Sequence, residues 1–436
     1  MPVLKIPGSE ATYTLLAFDK DGAERRDDTG GAGGPLSNRI LAEAKQNAPT
    51  HVFLFSHGWK GDMPEATAQY NRWISAMWKL SSDRERMGQN FRPLFVGLHW
   101  PSLPFGDEEF GGASFGDVES GPSPADLVRL YMERLGLSEE GRAPLKRIIA
   151  AHVADAAATE LPPQVVEDYR KIIALTGYGS GGLDGAPDAD GEPFDPVERF
   201  ESGNAAGGDS FGGGFSLGGI LGPLRQASYW KMKNRARTIG EGGMHDVVGA
   251  LMKAAPQTRF HLMGHSFGCI VVSSLIGGPK ASHALPRPVD SVALIQGAVS
   301  LWSFADTLPG ESGKGYFQPL LQRKAIRGPL ITTQSIHDSA VGTLYPLASA
   351  ASFAGASFGA GDLPRLGAIG KFGIQGLGSA EGRKMLESTK DYGFAPGGIY
   401  NLEASSFIAT GGGMSGAHSD IDGPQVAHAL WQAALV

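Results

Sequence analysis

Residues 258–276 read TRFHLMGHSFGCIVVSSLI. The first six predict a short buried strand, and the last eight predict an apolar helix that ends at Gly277-Gly278-Pro279. Between them lies the pattern Gly-x-Ser-x-Gly, centred on Ser266. A tight turn of this kind lifts a serine hydroxyl out of the end of a sheet, where it can act as a nucleophile. Small residues flank the serine because the turn packs backbone against backbone.

The same pattern occurs at four other serines, and none of these copies follows a predicted strand: Ser114, Ser210, Ser216 and Ser357. In a chain with 63 glycines, the pattern by itself has little weight. Its context makes the difference, because the turn works only with a strand before it and a helix after it. Ser266 is therefore the predicted nucleophile.

The composition indicates a globular protein with a sizeable core. Of 436 residues, 42% are hydrophobic and 19% are charged. The net charge of −7 argues against a nucleic-acid partner. The amino-terminal residues lack the apolar run of a signal peptide, and Cys269 is the single cysteine, so we expect a cytoplasmic protein. The most apolar long segment, 340–361, is dominated by Ala, Ser and Gly, and we predict a soluble helix running into a loop rather than a transmembrane segment.

Strand and helix patterns alternate along the chain, which predicts an α/β fold with a mainly parallel sheet and helices on both faces. The predicted strands are 12–18, 51–56, 94–98, 258–263, 289–296, 328–333 and 399–404. The predicted helices are 37–46, 65–80, 124–135, 143–158, 163–175, 243–254, 269–276 and 424–434. We expect a core formed by residues 1–102 and 226–436, with 103–225 as a helical, Gly-rich insertion that serves as a lid.

A serine hydroxyl becomes a good nucleophile when a base takes its proton, and that base is usually a histidine oriented by a buried carboxylate. Reactive groups in open α/β sheets gather at the carboxyl ends of the strands. Asp338 lies just after the strand at 328–333, and His418 lies in a Gly-rich loop after the last strand. Ser266, Asp338 and His418 are the predicted catalytic residues.

Other side chains compete for these roles. Asp306 follows the preceding strand, whereas Asp420 and Asp422 lie too close to His418 in sequence to reach the correct ring nitrogen readily. His57, His99 and His265 lie beside the predicted site, and His428 is expected to be a surface or packing residue of the last helix. Cys269 falls one helical turn after the serine, where a buried packing role is expected.

The chain resembles the α/β-hydrolase superfamily, of the serine esterase or lipase type, over roughly residues 12–102 and 226–436. The resemblance is carried by FLFSHGW at 53–59, GHSFG at 264–268, and the Asp338 and His418 loops, in that order. It implies an oxyanion hole formed by two backbone amides, those of Phe267 and Trp59, with Gly58 as the alternative to Trp59. It also implies packing and hydrogen-bonding roles for His57 and His265.

Two further patterns do not predict binding sites. Residues 177–182 match the letters of a dinucleotide fingerprint, but they follow a predicted helix instead of a strand. Asp184, Asp188 and Asp190 lack the spacing and the closing glutamate of a calcium loop. We therefore expect neither an organic cofactor nor a metal. The Phe- and Gly-rich stretches 105–115 and 211–221 fit either an apolar acyl pocket with a moving lid or a surface loop.

The expected activity is cleavage of carboxylic esters through an acyl-enzyme on Ser266. A lipase or phospholipase acting on lipid esters at interfaces is the alternative within enzymes, and thioesters would use the same machinery. Epoxide and haloalkane hydrolysis are disfavoured, because they need a carboxylate where this chain has serine. A catalytically silent binding protein of the same fold is the alternative from another class.

Overall fold

The computed structural model describes residues 3–9, 11–26, 34–59, 63–102, 123–177, 194–205, 219–310, 313–341, 363–411 and 416–436. Its strands are β1 Val3–Lys5, β2 Thr12–Ala17, β3 His51–Ser56, β4 Pro93–His99, β5 Arg259–His265, β6 Ser291–Ile295, β7 Leu330–Gln334, β8 Ala380–Lys384 and β9 Ile399–Glu403. The seven predicted strands are all present, with bounds that differ by at most two residues at either end. Sequence analysis did not predict β1 and β8.

The α-helices are α1 Leu36–Asn47, α2 Met63–Lys79, α3 Ser81–Arg86, α4 Pro124–Leu135, α5 Arg142–Ala154, α6 Pro163–Thr176, α7 Pro196–Ala205, α8 Gly222–Ile239, α9 His245–Ala254, α10 Gly268–Gly277, α11 Gln318–Gln322, α12 Ile369–Phe372 and α13 Pro424–Ala434. Short 3₁₀ turns lie at Glu139–Gly141 and Pro279–Ala281, and a π-helical turn at Gly240–Met244 joins α8 to α9. In the described part of the chain, no helix is both long and apolar enough to cross a membrane.

One sheet holds all the strands in the order β1-β2-β4-β3-β5-β6-β7-β9-β8. Every neighbouring pair is parallel except β1 and β2. The predicted α/β class with a mainly parallel sheet is confirmed. From β3 the chain goes to β4 on one side and then crosses to β5 on the other. In open parallel sheets, the crevice at such a reversal is where ligands bind.

The sheet is buried on both faces because its central strands are apolar at consecutive positions. In β3, Val52 and Leu54 belong to one core, which α1, α8, α9 and α10 cover, whereas Phe53 and Phe55 belong to the other, which α2 and α13 cover. Side chains of a strand alternate between faces, so a continuous apolar run is what a two-sided core requires. The predicted placement of helices on both faces is confirmed.

The insertion has a third core of its own. It is formed by α4, α5, α6 and α7 with the start of α8, including Leu224 and Ala227. The second half of α8 packs instead on the sheet, through side chains such as Met232 and Ala236. The predicted boundary between residues 225 and 226 therefore falls inside a continuous helix. The segments 105–115 and 342–361 lie outside the described residues, so the predictions made for them stay predictions.

Candidate active site

Ser266 lies in the turn between β5 and α10, with a φ of +56°. This left-handed conformation is strained for a residue with a side chain and is typical of a serine held in a sharp strand-to-helix turn. A Cβ at Gly264 would lie 2.4 Å from the carbonyl oxygen of Gly268, and a Cβ at Gly268 would lie 2.2 Å from that of Ser56. Both glycines of the pattern are therefore required by the close approach of backbones.

Asp338 and His418 form a hydrogen-bonded pair, with Nδ1 of the imidazole 2.7 Å from Oδ2 of the carboxylate. The Asp338 side chain is completely buried, and the His418 side chain is 12% exposed. Burial raises the pKa of Asp338. His418 and the hydrogen bonds donated by the Val341 amide and the Gln296 side chain together lower it by more than burial raises it, so the pKa lies below its ordinary value. An ionised carboxylate accepts a hydrogen bond from Nδ1–H, which keeps the proton there and leaves Nε2 of His418 as the basic nitrogen.

The loops that carry this pair are joined to each other. Asp338 and Gly416 form an antiparallel β-bridge, and the Ala417 amide donates to the carbonyl of His337 at 2.9 Å. Gly416 has a φ of +55°, and a Cβ there would lie 2.3 Å from the same carbonyl oxygen. Gly416 thus allows the loop that carries His418 to dock on the loop that carries Asp338.

The rival carboxylates have other partners. Asp306 accepts from the side chain of Gln318 at 2.9 Å, and Asp422 pairs with Arg72 at 2.9 Å. Asp420 accepts from the backbone amides of residues 409 and 410 and so shapes the loop that carries His418. Of the four candidate acids, Asp338 is the one that the structure brings to His418.

Gln296 is a member of the site that sequence analysis missed. It follows β6, and its Nε2 donates to Oδ2 of Asp338 at 2.7 Å, while its Oε1 accepts from the hydroxyl of Thr333 at 2.9 Å. These bonds fix the orientation of the amide and hold the carboxylate in place. The rule that directed attention to Asp338 could also have found it, because Gln296 lies at the same carboxyl edge of the sheet.

The loop after β3 lies directly against the serine. A Cβ at Gly58 would lie 2.7 Å from Cβ of Ser266, so the Gly58 backbone approaches the serine closely. The Trp59 ring packs edge-on against Tyr229 at 5.4 Å and lies 6.0 Å from the Phe267 ring. Phe267 precedes the first turn of α10, where backbone amides have no intrahelical acceptor. The structure thus places Gly58 against Ser266 and the Trp59 ring near that of Phe267, the residue after the serine.

His57 fixes this loop. Its Nδ1 donates to the carbonyl of Gly58 at 2.8 Å, its Nε2 accepts from the Trp100 amide at 3.2 Å, and its ring stacks on Trp100. Nε2 also lies 3.1 Å from Nδ1 of His99. Burial lowers the pKa of His57 to about 4, so the ring is neutral at neutral pH. The packing and hydrogen-bonding role that the resemblance implied fits these contacts.

Two other residues near the turn at Ser266 have defined surroundings. His265, which precedes Ser266, has its Nε2 2.9 Å from the carbonyl oxygen of His418 and its ring centroid 4.8 Å from that of the His418 ring. Cys269 is buried against the carbonyl of Gly264, and burial raises the pKa of its thiol. The predicted burial of Cys269 is confirmed, and a buried neutral thiol is not a reactive one.

Of the two positions expected for His428, surface or packing, the structure shows packing. His428 is 2% exposed, its Nδ1 lies 2.6 Å from a carboxylate oxygen of the buried Asp83, and its Nε2 donates to the carbonyl of Lys390 at 2.9 Å. The imidazole is internal because α13 packs against α3 and buries it with its acidic partner. This pair ties the last helix to the core and lies apart from Ser266.

The other four serines of the Gly-x-Ser-x-Gly copies, and the aspartates at 184, 188 and 190, lie outside the described residues. The chain was also compared with protein-family models, curated proteins and solved structures, and none of them matches. Evidence on function therefore comes from the geometry of the site itself.

Proposed function

We propose that this protein is a serine hydrolase with an α/β-hydrolase fold that cleaves carboxylic esters through an acyl-enzyme on Ser266. The observation that carries the proposal is the buried Asp338–His418 pair, held at 2.7 Å by the loops after β7 and β9. Both loops lie at the carboxyl edge of the sheet, where Ser266 occupies a left-handed turn at the end of β5. A strained serine with an oriented histidine at a topological switch point is the arrangement that acyl transfer requires.

In the proposed reaction, Oγ of Ser266 attacks the ester carbonyl while Nε2 of His418 takes its proton. Asp338 keeps the proton on Nδ1 and stabilises the imidazolium that forms. His418 then gives its proton to the leaving alcohol, and in the second half of the cycle it activates the water that hydrolyses the acyl-enzyme. The amides of Phe267 and of Trp59, or of Gly58 in place of Trp59, hold the negative oxygen, and each is worth about 3 to 4 kcal/mol.

Three features of the site favour an active enzyme over a silent binding protein. The completely buried carboxylate of Asp338 costs free energy unless it has partners, and one of those partners is His418, whose ring lies beside that of His265, the residue before Ser266. The strained backbone of Ser266 is a second cost that a binding surface does not need. Gln296 adds a hydrogen bond whose effect is to orient the acid. Strain and perturbed ionisation concentrated at one point are typical of active sites.

The test is hydrolysis of p-nitrophenyl esters over a series of acyl lengths by the wild type, by Ser266→Ala and by Ser273→Ala. Ser273 is a matched control, because it lies buried in α10 and its hydroxyl has no hydrogen-bond partner among the described residues. We expect activity in the wild type and in Ser273→Ala and a loss of at least about a thousandfold in Ser266→Ala. An inactive wild type, or full activity in Ser266→Ala, would contradict the proposal.

The same series separates an esterase from the alternative, a lipase or phospholipase. Preference for short acyl chains in monomeric solution supports the esterase. A rise in rate when the substrate forms micelles or vesicles supports an enzyme that acts on lipid esters at an interface.

A further inference from the structure

His265 links three parts of the site. It ends β5 next to Ser266, its side chain is buried, and its ring faces the ring of His418. Nε2 of His265 lies 2.9 Å from the carbonyl oxygen of His418, and Nδ1 lies 2.9 Å from Nε2 of Gln69. Gln69 belongs to α2, which follows the Gly58 loop. The imidazole of His265 therefore connects α2, the turn at Ser266 and the loop that carries His418.

The partners determine which ring nitrogen carries the proton. A backbone carbonyl only accepts, so Nε2 of His265 must be the protonated nitrogen. Nδ1 of the neutral ring is then an acceptor, and the amide group of Gln69 is the donor that it meets. Burial, together with the neighbouring His418, lowers the pKa of His265 to about 3, which keeps the ring neutral at working pH. Gln69 thus selects the tautomer that can bind the His418 carbonyl.

The hydrogen bond to the His418 carbonyl restrains a part of His418 that the Asp338 bond leaves free. Asp338 holds the imidazole of His418 at Nδ1, whereas His265 holds the backbone of the same residue. The neighbouring contacts of this loop are made by backbone, at the Asp338–Gly416 bridge and the Ala417 amide, and His265 adds a side-chain contact at the base itself. A displacement of the base by about 1 Å is enough to reduce a catalytic rate by about a hundredfold.

We infer that His265 is a positioning residue, which sets the distance between His418 and Ser266 by anchoring the His418 backbone, with Gln69 fixing its tautomer. The inference rests on the proposed function, since it assigns a role to a residue of the same site. It goes beyond that function because neither residue takes part in the proposed proton transfers, and because α2 becomes part of the structure that places the base.

The central variant is His265→Phe, which keeps a ring and removes both hydrogen bonds. The matched control is His261→Phe, four residues earlier on β5, where the imidazole is completely buried and binds Ser291 and His51. Two further variants test the N–H group at position 265 and the contribution of Gln69. His265→Gln keeps an N–H near the position of Nε2, and Gln69→Leu removes the tautomer-fixing donor from a half-buried position.

The first readout does not depend on activity. Hydrogen–deuterium exchange in the peptide that covers residues 416–422 should be about tenfold faster in His265→Phe and in Gln69→Leu, and unchanged in His261→Phe. An unchanged exchange rate in both His265→Phe and Gln69→Leu would overturn the inference. Faster exchange in a protein that hydrolyses no ester would contradict the proposed function and still support the anchoring of the loop.

The second readout separates positioning from general stability. In His265→Phe we expect kcat to fall about tenfold or more while KM changes less than about twofold, because the substrate pocket stays intact and the base is misplaced. His265→Gln should recover most of kcat. Equal kcat in all four variants, or a failure of His265→Gln to exceed His265→Phe, would count against the inference.

Discussion

Replacing Asp338 with asparagine keeps the side-chain volume and turns one of its two acceptor oxygens into an NH₂ donor. Oδ1 accepts from the Val341 amide at 3.1 Å, and Oδ2 accepts from both Nδ1 of His418 and Nε2 of Gln296 at 2.7 Å. A carboxamide has one oxygen, so its NH₂ group must face either the Val341 donor or the other two donors. If NH₂ faces His418, the ring has to present a lone pair at Nδ1 and carry its proton on Nε2.

With the proton on Nε2, His418 cannot take the proton of Ser266. A wrong tautomer of this kind, with the rest of the site intact, reduces kcat by about 10⁴-fold, or about 5.4 kcal/mol of transition-state stabilisation. We expect Asp338→Asn to show this loss on the best p-nitrophenyl ester. If NH₂ faces Val341 instead, the loss of activity is smaller and the protein is destabilised by one mismatched buried donor, about 1 to 3 kcal/mol.

The assay is steady-state kinetics beside thermal unfolding of the same samples. Asp306→Asn is the control, since Asp306 is an exposed carboxylate that binds Gln318. Two results would contradict the role of Asp338: folded Asp338→Asn that keeps full stability and activity within about tenfold of the wild type, or Asp306→Asn that loses as much activity as Asp338→Asn.

The remaining predictions concern stability. Burial lowers the pKa of His57 from 6.5 to about 4, and burial together with His418 lowers that of His265 to about 3, so both stay neutral in the folded state and protonate on unfolding. The stability that these neutral rings give the folded state is fully present above about pH 6.5 and is lost as the pH falls from there toward about pH 4 and 3. Urea midpoints should therefore fall steeply between about pH 7 and about pH 4.5, and a flat profile would contradict this expectation. Gly268→Ala should lower the free energy of unfolding by about 3 kcal/mol or more, because its Cβ would lie 2.2 Å from the carbonyl oxygen of Ser56. Gly378→Ala, where nothing lies within 4 Å, should leave the urea midpoint unchanged, and equal midpoints in the two variants would refute the steric argument.

The local parts of the site could be predicted from the sequence. The turn at Ser266 depends on residues that are neighbours in the chain. Its two glycines are needed because backbones approach there too closely for a Cβ. Central strands such as β3 are apolar at consecutive positions because both faces are buried, so the sequence carries a clear strand signal. The choice of Asp338 followed from a general rule about the edge of a parallel sheet.

The long-range parts could not be predicted in the same way. β8 reads AEGRK and is largely exposed, so no apolar pattern marks it, and only its pairing with β9 makes it a strand. In α8, the apolar residues of the first half face the insertion and those of the second half face the sheet, so they do not form one stripe. The contact between Gln69 and His265 joins residues 196 positions apart.

The role of Ser266 as the nucleophile is tested most directly by covalent labelling with a fluorophosphonate, followed by mass spectrometry of the digested protein. We expect one label per chain on the peptide that contains Ser266, no label in Ser266→Ala, and full labelling in Ser273→Ala. Labelling of a different residue, or of Ser266→Ala to the same extent as the wild type, would contradict it.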